Sequence, residues 1–304
     1  MIDLLIRYFK NRNLLLLTAF LFGLSWGEPA RPLRGLILPA LVMIMTLSTT
    51  HITLRELRQM KDYLKDILLV TLIHYPFLSG LILLANHLWI SDPDLQVGYV
   101  VMAAVPSAVA VIPFTYLLKG EMIVSLLGST WIYLFALLAA PMISFLFLDV
   151  AAIDPSRIVL TLLQLILLPF LLSRLLLRWR GFPTFKPKMG PLINFGFSLI
   201  LYIVIGMNRE VFFGPFDLLL LIFAIAFLRT FVSGHLIDLW SRWLKVDPRR
   251  RISYVLFGSY KNLGLAAALS LLIFNERAAV PSALTIPFEF LFLMWFAYFQ
   301  RRWG

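Results

Sequence analysis

A chain of 304 residues that is 61% hydrophobic and 14% charged lies outside the range of a soluble domain, where about a quarter of residues carry charge; a mean hydropathy of +0.88 is that of a polytopic membrane protein. The formal charge of +11 does not denote a nucleic-acid surface, because the basic residues fall between apolar runs instead of on one soluble face. The absence of cysteine excludes disulfides, thiolate metal sites and a cysteine nucleophile.

Ten membrane spans are predicted, roughly 12–26, 33–50, 65–88, 95–118, 122–147, 156–175, 190–208, 216–240, 252–274 and 279–299. Twenty of the 27 lysines and arginines then fall on the side of the two termini, five fall on the other, and Arg229 and Lys261 are left inside spans. This asymmetry puts both termini in the cytoplasm and the chain in the cytoplasmic (inner) membrane. Trp26, Trp89, Trp240, Trp243 and Trp303 sit at span ends, as an interfacial belt requires.

The first span is short, and Trp26-Gly-Glu-Pro29 after it offers no small-residue cleavage site, so no cleavable signal peptide is expected. Residues 52–66 alternate Arg55, Arg58, Lys61 and Lys65 with Leu57, Met60 and Leu64. They read as an amphipathic cytoplasmic helix lying on anionic lipid. The third span carries His74 and Pro76. His74 lies roughly 14 Å deep at a rise of about 1.5 Å per residue; it is either a proton carrier or a neutral histidine bonded to a neighbouring helix.

The fourth span holds Pro106 and Pro113. Each removes a backbone donor and frees a carbonyl one turn back, so a discontinuous helix is expected, a kinked one being the alternative. The eighth span contains Arg229, roughly 18 Å from its outer end. The ninth contains Lys261-Asn262 between Gly258 and Gly264, again near the midplane. A lysine there either snorkels to an interface or marks a functional site. Glu289 in the tenth span completes the intramembrane charges, and its pairing with Lys261 or Arg229 would offset their burial.

Ten spans divide into two halves of five, 1–150 and 151–304, with opposite orientations. The fourth and ninth spans then correspond, and both are interrupted. Matched interruptions in inverted halves point to a carrier's central site. No phosphate-binding loop, dinucleotide fingerprint or metalloprotease motif is present. The four histidines (51, 74, 87, 235) lack ligand spacing. Neither an enzyme nor a cofactor is expected.

The segment Pro106-Ser107…Thr115-Tyr-Leu-Leu-Lys-Gly-Glu-Met-Ile-Val-Ser125, together with Lys261-Asn-Leu-Gly-Leu-Ala-Ala-Ala-Leu269, resembles the bile acid:sodium symporter family. The resemblance implies a panel domain (spans 1, 2, 6 and 7) and a core domain (spans 3–5 and 8–10), with broken helices 4 and 9 crossing at the site. It also exposes departures. The family's Ser-Asn sodium ligands fall on Val111 and Ile112, its glutamate on Phe257 and its glutamine on Lys261; of its helix-five hydroxyl ligands, Ser129 survives and Leu127 does not.

Lys261 is therefore expected to take the electrostatic place of a sodium ion, leaving sodium coupling absent or altered. Loss of a proton from such a lysine would couple transport to protons instead, and an uncoupled carrier is equally allowed. The expected function is alternating-access transport of a small organic anion across the bilayer. Lys261 would bind or sense charge, and Ser259, Tyr260, Asn262, Ser107, Thr115 and Ser129 would supply hydrogen bonds. Gly258 and Pro106 would shape the crossover, with His74, Arg229 and Glu289 nearby. The rivals are a proton-linked efflux carrier related to arsenite or auxin exporters and a membrane receptor that kept the fold.

Overall fold

The computed structural model describes residues 12–51, 60–148, 155–213 and 216–303; among them every helix or strand assigned is a helix. The principal helices are α1 (Arg12–Ser25), α2 (Ile37–Ser48), α3 (Met60–Trp89), α4 (Pro93–Ala104), α5 (Val111–Leu117), α6 (Met122–Phe147), α7 (Pro155–Arg178), α8 (Met189–Met207), α9 (Phe216–Trp243), α10 (Pro248–Phe257), α11 (Leu263–Ile273) and α12 (Val280–Trp303). Among the described residues six helical stretches are long and apolar enough to cross a membrane, including all of α3, α6 and α9. The chain is a polytopic membrane protein. Of the amphipathic helix expected over 52–66, residues 52–59 lie outside the described residues; from Met60 one 3-10 turn leads directly into the α-helical part of α3.

The outward faces are hydrocarbon. Leu64, Leu68 and Leu72 of α3 are exposed at one-turn spacing, as are Leu138, Met142 and Phe145 of α6 and Leu291, Met294 and Trp295 of α12. Stripes of this extent would drive a soluble protein to aggregate, whereas acyl chains cover them at no cost. Inside, α8 packs along α1 and α2, and α7 packs on α2. Elsewhere α4 is surrounded by α3, α6, α11 and α12, while α10 packs on α9.

The segments predicted as the fourth and ninth spans are both broken, into α4 and α5 and into α10 and α11. Only some of the residues singled out for this sit at the breaks. Pro106 lies in the gap between α4 and α5, but Pro113 lies in the first turn of α5, where a missing N–H costs little. Gly258 caps the end of α10. Gly264 instead belongs to the first turn of α11, and a Cβ there would stand 2.5 Å from the ring of Phe197. It is a contact surface for α8 and takes no part in the break.

Both leading half-helices start alike. Asp92 precedes Pro93 and accepts from the amides of Asp94 and Leu95 at 3.0 and 3.2 Å. Asp247 precedes Pro248 and accepts from Arg249 and Arg250 at 2.9 and 3.2 Å. An aspartate N-cap followed by proline at the first helical position is a strong start signal. Asp92 is also tied to Arg277 at 2.6 Å. Its partial burial works against the charge, but Arg277 and the two amides prevail and hold the carboxyl below the usual carboxylate range.

Close approach secures α4 further along. A Cβ at Gly98 would fall 2.1 Å from the carbonyl oxygen of Ala278, a backbone atom that cannot rotate away. Gly98→Ala is expected to lower the melting temperature of the purified protein measurably, by a destabilisation of about 1–3 kcal/mol for overpacking a tight contact. Gly190→Ala, at a site with open space around it, serves as the control.

Candidate functional site

The interrupted helices enter the site from opposite ends. Asn275 and Arg277, just after α11, hold Asp94 and Asp92 at the start of α4, and the amide of Glu121, just after α5, donates to the carbonyl of Arg249 at the start of α10. The two gaps, 105–110 and 258–262, therefore meet antiparallel. Ser107 and Lys261 form an isolated antiparallel bridge there, and the amide of Asn262 donates to the carbonyl of Pro106 at 2.8 Å.

This crossing poses an electrostatic problem. The C-terminal ends of α4 and α10 converge at depth, each with carbonyls that have lost their helical partners and carry the negative end of a helix dipole. Cationic and donor side chains meet both ends. At α4, the Lys261 ammonium donates to the carbonyls of Ala103 (2.8 Å) and Val105 (3.1 Å) and to Ser79 Oγ (2.7 Å), with the Tyr75 ring centroid 4.8 Å away. At α10, Arg229 Nη2 donates to the carbonyl of Ser259, and His74 Nδ1 lies 3.0 Å from the carbonyl of Phe257.

Lys261, Arg229 and His74 are all completely buried. The snorkelling alternative for Lys261 is thereby excluded, and its three protons have three oxygen acceptors. Glu289 pairs with Arg229 at 2.7 Å, and the same Oε1 accepts from the backbone amide of Lys261 at 3.0 Å. Of the two partners expected for Glu289, Arg229 is thus the side-chain one; Lys261 meets it through its main chain. Tyr260 donates its hydroxyl to the carbonyl of Glu289 at 2.8 Å.

Asn262 caps α11 by accepting from the amide of Leu265 at 3.2 Å and donates Nδ2 to Tyr133 at 3.0 Å. Ser107 and Ser259 are buried, and their hydroxyls find no partner among the described residues. Thr115 is not at the crossing's centre: its hydroxyl is shared with Ser125 at 2.6 Å and with the carbonyl of Val111. Ser129 lines a cavity of about 20 Å³ with Val109, Ile112 and Tyr133, of which Lys261 is not a lining residue. Neither Val111 nor Ile112 nor Phe257 brings a side-chain oxygen to the crossing.

Two residues at the lysine were not foreseen, Tyr75 and Ser79. Both lie in a π-helical turn, Ile73–Ser79, and Arg229 lies in another, Leu228–Val232. Such turns gather at functional sites because they displace side chains from the regular helical rows. Pro76 was the available signal for the first; nothing in the residue types of the second announces it.

Between the crossing and α8 lies a cavity of about 30 Å³, bordered by Phe197, Leu201 and Val204 on one side and by Asn262, Gly264 and Glu289 on the other. It has room for a water molecule or two. Any larger solute requires the walls to separate.

A model of the SBF-like CPA transporter family matches residues 14–297. An uncharacterized sodium-dependent transporter, YocS, of Bacillus subtilis (strain 168) is 27% identical over 197 residues, which cover 63% of this chain and 60% of that relative. The matched segment thus spans less than two thirds of the relative's length.

Proposed function

This chain belongs to the SBF-like CPA transporter family, and on that premise we propose that it moves a small organic anion by alternating access with a side-chain cation built in where kindred carriers hold sodium. One observation carries the reading: the Lys261 ammonium sits among two carbonyls and a hydroxyl at the broken end of α4, the kind of oxygen cage that suits a hard cation. The relative's name records sodium dependence; here the oxygen ligands at Val111, Ile112 and Phe257 are gone. The anion preference follows from charge. Two buried cations, Lys261 and Arg229, face one buried acid, Glu289.

The proposal includes ten spans in two inverted halves, 1–150 and 151–304, with both termini cytoplasmic in the inner membrane. The shared Asp-Pro start of α4 and α10 supports it. His74 and Arg229 are separated by the same number of residues as Asp92 and Asp247. Spans 1, 2, 6 and 7 would form the panel, in keeping with the packing of α8 on α1 and α2, and the other six the core. Opening the cleft along Phe197 would expose the crossing to alternate sides.

Reconstituted into proteoliposomes, the protein is expected to exchange a labelled organic anion at the same rate in sodium and in potassium buffers. Rates that rise tenfold with sodium would overturn the built-in cation. Counterflow separates the receptor alternative, since a receptor binds ligand without moving it. An imposed pH gradient separates a proton-linked cycle from an uncoupled one.

A further inference from the structure

The far end of α11 meets an arginine from the other group of helices. Arg34 Nη2 donates to the carbonyl of Leu271 at 3.0 Å, across 237 residues of sequence. Leu271 lies in the last turn of α11, where carbonyls lack helical donors and carry the negative end of the dipole. From this bond α11 runs 11 residues, about 16 Å, back to Asn262, which caps its start at the crossing.

Arg34 belongs to the connection between α1 and α2, in the 3-10 turn Pro32–Leu36. That connection is seated firmly on α8. A Cβ at Gly27 would fall 2.6 Å from the carbonyl oxygen of Gly206, and one at Gly206 would stand 2.6 Å from Ala30 Cβ; Ala30 is completely buried. Arg34 therefore moves with α1, α2 and α8. The end of α11 is held by the opposite group, because Asn275 and Arg277 just beyond it bind Asp94 and Asp92 at the start of α4. Deeper along the same boundary, Phe197 packs on Gly264 and Asn262 Nδ2 reaches only 3.8 Å from Met45 Sδ, a weak acceptor.

We propose that Arg34 is the latch that holds the outer end of the cleft shut, releasing the Leu271 carbonyl whenever the two groups of helices separate on that side. This deepens the alternating-access reading above and rests on it. A bond broken in every cycle has to be weak, and a partly exposed one fits where a buried ion pair would not. Its acceptor is main chain, so the latch engages α11 as a rod whose other end is the crossing.

The chain has no cysteine, so Leu201→Cys supplies a single thiol in the buried wall of the cavity beside the crossing. A membrane-impermeant maleimide added to sealed right-side-out or inside-out vesicles then reads opening to each side. Adding Arg34→Leu is expected to raise the labelling rate from outside about tenfold, the effect of losing one charge-assisted hydrogen bond, with no rise from inside. Arg34→Lys, which keeps a charged donor, is expected to fall between, and Arg31→Leu, which removes the same charge from the same connection, to change neither rate. Should Arg34→Leu not fold, Arg34→Gln takes its place. An unchanged outer rate in the folded variant, an equal rise from both sides, or the same rise in Arg31→Leu overturns the latch and leaves alternating access standing. A thiol that reacts from neither side in any variant overturns both.

Discussion

Lys261→Met is expected to abolish anion exchange in proteoliposomes, a loss of at least about a hundredfold, and sodium is not expected to restore it. The substitution keeps the bulk of the side chain and removes three donors together with the charge. The carbonyls of Ala103 and Val105 then face a thioether. Leaving buried acceptors without a donor costs about 1–3 kcal/mol, enough to lower the melting temperature without unfolding the protein. Ser79 Oγ still reaches the Ala103 carbonyl at 2.8 Å, which keeps the stability loss at the lower end. The functional loss is larger because the dipole end of α4 no longer has a cation beside it. Sodium is not expected to take the vacated place, because the Ala103 and Val105 carbonyls and Ser79 Oγ offer only three oxygens where a hard cation wants more. Lys261→Gln, which restores two donors without the charge, separates the two contributions: recovery of melting temperature without recovery of exchange assigns transport to the charge. Unchanged exchange in Lys261→Met would remove the lysine from the mechanism.

Much of this site is legible in the chain because hydrocarbon makes buried charge conspicuous. Lys261, Arg229 and Glu289 stand out in apolar runs, and each is found buried at the crossing. The six helical stretches long and apolar enough to cross a membrane among the described residues are legible from apolar length. What composition does not convey is direction. Depth along a helix placed Lys261 at mid-membrane but did not say that its ammonium turns to the end of α4, nor that Arg229 and not Lys261 takes the carboxylate of Glu289. Such choices depend on which carbonyls a break releases, and that is a property of two helices together. Thr115 illustrates the converse. Its place in a recognisable segment suggested a ligand, whereas its hydroxyl is used locally by Ser125 and Val111. Prolines and glycines mislead similarly: Pro113 and Gly264 disturb nothing because each occupies the first turn of a helix, where the backbone amide has no helical acceptor to lose.

The Arg229–Glu289 pair makes the sharpest thermodynamic prediction. Both groups have left water, so breaking the pair from one side strands a charge, at about 3–5 kcal/mol. Arg229→Leu removes the cation beside the buried Glu289 carboxylate. Glu289→Leu leaves a guanidinium whose Nε and Nη1 find no hydrogen-bond partner among the described residues. Either single variant is expected to fall sharply in reversible unfolding measured in bilayers. Combined, Arg229→Leu and Glu289→Leu are expected to recover most of that loss, because apolar replacement of a buried pair is often nearly neutral; the double-mutant cycle then returns a coupling of about 5 kcal/mol or more. Exchange is not expected to recover with stability. The double variant lacks the donor that caps the Ser259 carbonyl and the acceptor that holds the Lys261 amide, so the end of α10 and the register of the bridge to Ser107 both loosen. A stable but inactive double variant assigns the pair to the transport geometry. Additive single effects, with no coupling, would mean that the two charges find other partners and that the crossing is held together without them.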